Sequence, residues 1–277
     1  MKQLATAAVR RPSLALLSTE PFRAAMEFAA RKLGTSATTP PGDGHPVVIF
    51  PGLGTHGGSV APLREHCRAL GYDAFDWGQG FNTGPQGDLD AWLHTLKRQV
   101  AGLLAGHGQP ATLIGWSLGG LYAREIGKLM PSRIRQVITI GTPFNADADH
   151  SNLGWLYRLL SGSSAALEPA WSPRLRTPPP LRTTSIYSRS DGVVAWQTCR
   201  HDQPSSLVHD IEVDSSHIGM GWNRAVLSAI TDRLAQQAGP WRRYVPAHGA
   251  GRPGRQPAIC SISLTHHRGI ACPHACP

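Results

Sequence analysis

A chain of 277 residues can bury one sizeable core, and its length fits a single domain with an insertion better than two independent ones. The formal charge of +9 first suggests a nucleic-acid partner, but Arg242, Arg243, Arg252, Arg255 and Arg268 lie in the stretch 240–277, which contains no Asp or Glu. Without those five arginines the charge falls to +4, and no basic helix or aromatic-basic alternation remains, so a nucleic-acid surface is excluded. Three of the five cysteines (Cys260, Cys272 and Cys276) also lie in that stretch, which rules out a disulfide framework for the body of the chain.

Near the N-terminus, Lys2 and Arg10-Arg11 precede an apolar run at 14–17 that is too short and too soon interrupted for a secretion signal or a membrane span. A cytoplasmic location follows as the expectation. Leu16, Phe22, Ala25, Met26, Phe28 and Ala29 fit an amphipathic helix with Pro21 in its first turn. Such a helix packs on the domain surface or, as an alternative, attaches to a membrane surface. Residues 1–40 therefore read as a helical segment and the start of a Thr/Pro/Gly-rich linker that runs from 35 to 44.

From there short β-branched runs alternate with longer helical patterns. The run 45–50 reads as a buried strand ending in the tight loop Pro51-Gly52-Leu53-Gly54. A helix at 61–70, stopped by Gly71, leads to a strand near 72–75 and a helix at 89–104 with the stripe Leu93, Leu96, Val100, Leu103 and Leu104. Strands follow at 111–114, 134–140, 183–188 and 207–213, with one helix after Ser117 and a last one at 223–236. This alternation predicts parallel βα units in a doubly wound sheet, within an α/β domain spanning 41–239.

Between 144 and 181 the pattern breaks into prolines, serines and apolar residues, among them Trp155, Leu156, Tyr157, Leu159, Leu160 and Trp171. An insertion here suits a short apolar cap that favours a hydrophobic substrate, or else a surface loop anchored by its aromatics. The stretch 240–277 lacks periodicity and is expected to be a disordered tail. His266, His267, Cys272, His274 and Cys276 match no structural zinc spacing, so no metal is expected.

The chemistry centres on Gly115-Trp116-Ser117-Leu118-Gly119, set between a strand and a helix. A serine on such a sharp turn is forced into a strained backbone conformation, and side chains two before and two after it would collide with neighbouring elements. Ser117 is therefore the candidate nucleophile. The five-residue pattern is weak alone, and its context supplies the specificity. A serine hydroxyl needs a base to take its proton. His217, at the end of a strand expected to run through Val213-Asp214-Ser215-Ser216-His217 and before a Gly-rich turn, is the candidate; His56 is its main rival. Asp191, just after the strand at 183–188, is the candidate to orient the imidazole, with Asp214 and Asp210 as alternatives. Developing negative charge on a tetrahedral intermediate calls for preorganised amides, assigned to Leu118 and Leu53. Gly52 and Gly54 let the second loop approach, unless they serve only to turn it.

Phe50-Pro51-Gly52-Leu53-Gly54, Gly115-Trp116-Ser117-Leu118-Gly119-Gly120, the segment from Tyr187 through Asp191 to Val194, and Ser216-His217-Ile218-Gly219-Met220 occur in that order. Together they resemble the bacterial esterase/lipase branch of the α/β-hydrolase superfamily over roughly residues 41–237. The resemblance implies an α/β-hydrolase fold with a central, mostly parallel sheet and helices on both faces. It also implies hydrolysis of carboxylic esters through an acyl-enzyme, and no cofactor. Pro51 departs from the pattern where many family lipases carry His, and the Cys-rich tail is unlike a family C-terminus. The expected ligand is a small-molecule ester or lipid, with no stable membrane insertion and peripheral contact as the remaining membrane role; the oligomeric state is not legible. An acyltransferase using the same three residues and a catalytically silent binding protein are the competing readings.

Overall fold

The computed structural model describes residues 9–31, 42–145, 171–236 and 241–246. Six parallel strands form one sheet: β1 (Pro46–Phe50), β2 (Asp73–Asp76), β3 (Ala111–Trp116), β4 (Ile134–Ile140), β5 (Arg182–Ser188) and β6 (Val208–Val213), in the spatial order β2-β1-β3-β4-β5-β6. The chain winds one way from β1 to β2 and the other way from β3 onward. The reversal leaves a crevice beyond the carboxyl ends of β1 and β3, where open α/β sheets bind their ligands. Ser117 directly follows β3.

Helix α1 (Leu14–Arg31) packs on the turns beyond β5 and β6, while α2 (Ala61–Ala69), α3 (Leu89–Leu103), α4 (Leu118–Leu129), α5 (Trp171–Arg176) and α6 (Arg224–Ala235) cover the two faces of the sheet. Alternation along the strands divides the core in two. Val48, Phe50, Leu113 and Val137 pack with Leu96 and Val100 of α3 and Leu121 and Ile126 of α4. Val47, Ile49, Ile114, Ile138 and Ile186 pack with Leu63 and Cys67 of α2 and Val226 and Ile230 of α6. Each fully buried aliphatic side chain contributes about 1.5–3 kcal/mol relative to exposure, and a one-residue slip would exchange the two sets.

Caps fix helix entry. Asp88 accepts from the Ala91 amide at 2.7 Å before α3, and Asn223 accepts from the Ala225 amide at 2.8 Å before α6. Such caps stabilise a helix end by about 1 kcal/mol. Residues 241–246 lie against α6: Tyr244 donates to Ser228 Oγ at 3.1 Å, and Arg233 donates to the Arg242 carbonyl at 2.9 Å. The rest of the tail, including the His/Cys group, and the cap residues from Trp155 to Leu160 lie outside the described residues.

Two local expectations are corrected. Pro21 sits inside α1, not in its first turn; it lies on the solvent side, where water can replace the intrahelical partner that a proline denies the Leu17 carbonyl. The strand leading to His217 ends at Val213, so 214–217 form a loop and His217 precedes a 3-10 turn, Ile218–Gly221. The ladder to β5 stops at Ser188↔Val213, and beyond it Ser215 and Ser216 bond to side chains instead of to a neighbouring strand.

Helix α1 also packs with an inverted polarity. Glu20 and Ala24 are buried and Arg23 and Glu27 half-buried, whereas Leu14, Leu17, Phe22, Met26 and Phe28 are exposed. Its inner side is held by the Trp222 indole, which donates to the Ala24 carbonyl at 2.9 Å, and by the carboxylates of Glu20 and Glu27.

Candidate active site

The turn from β3 to α4 puts Ser117 at φ 52° and ψ −120°, the only positive φ of a non-glycine residue among the described residues. Holding a side chain there costs of order 1–3 kcal/mol, which the surrounding packing must offset. The Ser117 amide donates to the Ile140 carbonyl at 2.8 Å, tying the turn to the end of β4. A Cβ at Gly115 would overlap the Gly119–Gly120 backbone, one at Gly119 would overlap the Phe50 carbonyl, and one at Gly120 would strike Thr142 Oγ1. These three glycines let strand, turn and helix approach closely enough to present the serine.

Asp191 and His217 come from the turns after β5 and β6, which are adjacent strands, and both are buried. His217 Nδ1 lies 2.7 Å from Asp191 Oδ2. The other carboxylate oxygen accepts from the amides of Val193 and Val194 at 2.8 and 2.7 Å, so the acid is locked by its own turn. Burial pulls the imidazolium down in stability, but the charge and hydrogen bond of Asp191, with Glu20 adding to them, outweigh it and raise the His217 pKa above its ordinary 6.5. The Trp116 indole donates to the His217 carbonyl at 3.2 Å, and the two rings lie 6.2 Å apart. A Cβ on Gly141 would sit 3.1 Å from His217 Nδ1. The histidine therefore rests over the ends of β3 and β4, against the residue preceding Ser117.

The loop after β1 reaches the same place. A Cβ on Gly52 would lie 3.5 Å from Ser117 Cβ. Gly54 takes φ +68°, and its amide donates to the Asn82 carbonyl at 2.8 Å. Asn82 is completely buried: its side-chain amide donates to the Pro51 carbonyl at 2.9 Å, and its Oδ1 accepts from the Gly84 amide at 3.1 Å and the Tyr122 hydroxyl at 3.2 Å. Among the described residues the amides of Leu53 and Leu118 donate to no backbone carbonyl.

The rivals have other partners. His56 is exposed, stacks on Phe81 with ring centroids 6.4 Å apart, and accepts from the Gly58 amide. Asp210 pairs with His201 at 2.7 Å, and Asp214 accepts from Ser190 Oγ at 2.5 Å. Among the described residues no group of three or more His, Cys, Asp or Glu side chains is placed to hold a metal ion. Sequence reasoning missed Asn82, whose signal was the turn sequence Asn82-Thr83-Gly84-Pro85 between two periodic segments, and it missed Glu20.

Comparison with known proteins agrees with this architecture. A protein named pimeloyl-[acyl-carrier protein] methyl ester esterase, from Shewanella woodyi, is 31% identical over 130 residues, covering 46% of this chain and 48% of that protein. The chain thus spans about half the length of the curated relatives it matches. Among solved structures, Aspergillus fumigatus lipase B is similar with a TM-score of 0.55 at 18% identity, covering 75% of this chain and 56% of that one. The mature Bacillus licheniformis lipase BlEst2 is similar with a TM-score of 0.52 at 17% identity, covering 73% and 96%. At these identities the structures speak for the fold alone. Residues 47–261, more than half of the sequence, match the alpha/beta hydrolase family, and the chain belongs to it.

Proposed function

We propose that the protein is a serine esterase of the lipase/esterase type, hydrolysing carboxylic esters of apolar acyl groups through an acyl-enzyme on Ser117. The observation that carries this reading is the buried Asp191–His217 pair at 2.7 Å, set against the residue before a serine held at φ 52°. The acyl preference rests on the apolar residues of the segment between 144 and 181, and the ester linkage on the likeness to a protein named as a methyl ester esterase.

In the proposed reaction Ser117 Oγ attacks the ester carbonyl carbon while His217 Nε2 takes the hydroxyl proton. Asp191 holds Nδ1 and stabilises the imidazolium. The tetrahedral oxyanion is received by the amides of Leu53 and Leu118. Collapse breaks the ester C–O bond, and His217 returns its proton to the departing alcohol, leaving the acyl group on Ser117. Water then attacks this ester with His217 again as base, and the second collapse releases the carboxylic acid and restores the serine. No cofactor enters any step.

The partner is accordingly a small-molecule ester or lipid. Among the described residues no helix is long and apolar enough to cross a membrane. For peripheral contact the outer face of α1 is the candidate, toward an anionic lipid surface: its exposed residues Leu14, Leu17, Phe22, Met26 and Phe28 include no charge, and Arg10, Arg11 and Arg31 flank them. A panel of nitrophenyl esters of increasing acyl length tests the substrate class. Hydrolysis that strengthens with chain length supports it; transfer to added alcohols in preference to water would favour an acyltransferase.

A further inference from the structure

Helix α1 lies before the residues that match the family, yet it reaches into the site. Glu20, at 1% exposure, places its carboxylate between the acid turn and the base turn. Its Oε1 accepts from the Gly192 amide at 2.7 Å and the His217 amide at 3.0 Å, and its Oε2 accepts from the Ile218 amide at 3.0 Å. Arg23 pairs with the same carboxylate at 2.7 Å and donates to the Ser190 carbonyl at 2.7 Å. One helical turn thus touches Ser190, Gly192, His217 and Ile218.

We propose that Glu20 is a positioning residue for the proposed esterase reaction, fixing the Asp191 and His217 turns relative to each other so that the imidazole stays aligned. This rests on the triad reading. The physical case is the combination of cost and placement. A carboxylate taken out of water loses several kcal/mol of solvation unless donors replace it. Here the donors that replace it are backbone amides of the catalytic residue itself and of the residues following each catalytic side chain. The sheet cannot do this job, because its ladder between β5 and β6 ends at Ser188↔Val213, before either turn begins. The fit is also close: a Cβ at Gly192 would lie 2.6 Å from the Leu16 carbonyl, so the acid turn and α1 leave no room for any side chain there. Two turns along the helix, Glu27 accepts from the Ser216 amide at 2.7 Å and Ser215 Oγ at 2.9 Å, which anchors the approach to His217 from the other side.

The charged groups around the imidazole are Asp191 from the acid turn, Glu20 with its partner Arg23 and, farther along, Glu27 from α1, and Asp214 in the loop before it. Glu20 thereby contributes to the upward shift of His217 as well as to its alignment.

The test uses the full-length chain and Glu20→Gln, which keeps shape and removes charge, with Glu20→Asp as the variant that keeps charge but withdraws the carboxylate. Ser18→Ala, on the exposed side of the same helix, is the control. For Glu20→Gln on a nitrophenyl ester, kcat is expected to fall about 10- to 100-fold with KM within about twofold, in the range of effects seen for misplaced catalytic groups. The acid limb of its pH profile moves to lower pH. The His217 imidazole is followed in parallel by NMR titration, assigned with His217→Ala, and its midpoint is expected to drop in Glu20→Gln. If Glu20→Gln does not fold, Glu20→Asp carries the same kinetic comparison. A folded Glu20→Gln with unchanged kcat and an unchanged imidazole midpoint overturns the proposal. A wild-type protein that turns over no ester and takes up no fluorophosphonate contradicts the esterase reading instead, and the imidazole titration still decides whether Glu20 governs His217.

Discussion

The indole of Trp116 donates to the backbone carbonyl of His217 at 3.2 Å, joining the residue before Ser117 to the proposed base 101 positions later. This bond ties the turn after β6 to the end of β3. Trp116→Phe keeps an aromatic ring but removes the donor, leaving a buried carbonyl without this partner. The expected outcome is a kcat lowered about 3- to 10-fold and a stability loss of about 1 kcal/mol, read by steady-state kinetics and denaturant unfolding. An unchanged kcat would show that His217 keeps its place without the indole.

Asn82 organises the loop that carries Leu53. Asn82→Ala leaves the Pro51 carbonyl and the Tyr122 hydroxyl unpaired inside the protein, each unsatisfied group costing about 1–3 kcal/mol. A lower thermal midpoint and a loss of kcat greater than tenfold are expected, because the loop amide would no longer be preorganised. A variant that loses stability but keeps full kcat would remove Leu53 from the oxyanion site.

The pH dependence has opposite signs for activity and stability. His217 has a pKa raised in the folded state: burial opposes its charge, and Asp191 and Glu20 outweigh burial. Its contribution to stability is fully present below the ordinary value of 6.5 and is lost as pH rises through the folded value. The proposed reaction needs the neutral imidazole, so kcat/KM is expected to climb across the same interval. The acid limb is expected above pH 6.5 in wild type and at lower pH in Asp191→Asn. A limb that does not move in Asp191→Asn would separate the titrating group from the Asp191–His217 pair.

The outer face of α1 is testable without an activity assay. Co-sedimentation with vesicles of phosphatidylglycerol and phosphatidylcholine is expected to fall several-fold in Phe22→Glu, and to weaken with added salt as the flanking arginines are screened. Equal binding of wild type and variant would mean that this face does not meet lipid.

Much of the fold was legible because strand and helix periods alternate cleanly: the runs at 45–50, 134–140 and 183–188 became β1, β4 and β5, and the sheet they form is parallel. The elbow was legible for a steric reason, since only glycines at 115, 119 and 120 admit so tight a turn. The Asp191–His217 contact was anticipated from chain order, and the loop that delivers His217 was misread as strand because Val213 ends a β-branched pattern without marking where pairing stops. Helix α1 was the harder case. Its apolar residues suggested an inward stripe, but the inner side meets backbone amides at the ends of β5 and β6, and those demand carboxylates. A pattern scored on hydrophobicity alone cannot see donors supplied by residues 170 to 200 positions away. Asn82 escaped for a similar reason, since a turn asparagine that satisfies its own loop looks the same as one that holds another.

The central claim, nucleophilic attack by Ser117 with His217 as base, is tested most directly by fluorophosphonate labelling of the full-length protein followed by intact-mass analysis. One adduct per chain on wild type, none on Ser117→Ala, and strongly slowed labelling of a folded His217→Ala are the expected results. Labelling of Ser117→Ala at the wild-type rate would place the nucleophile elsewhere and contradict the account.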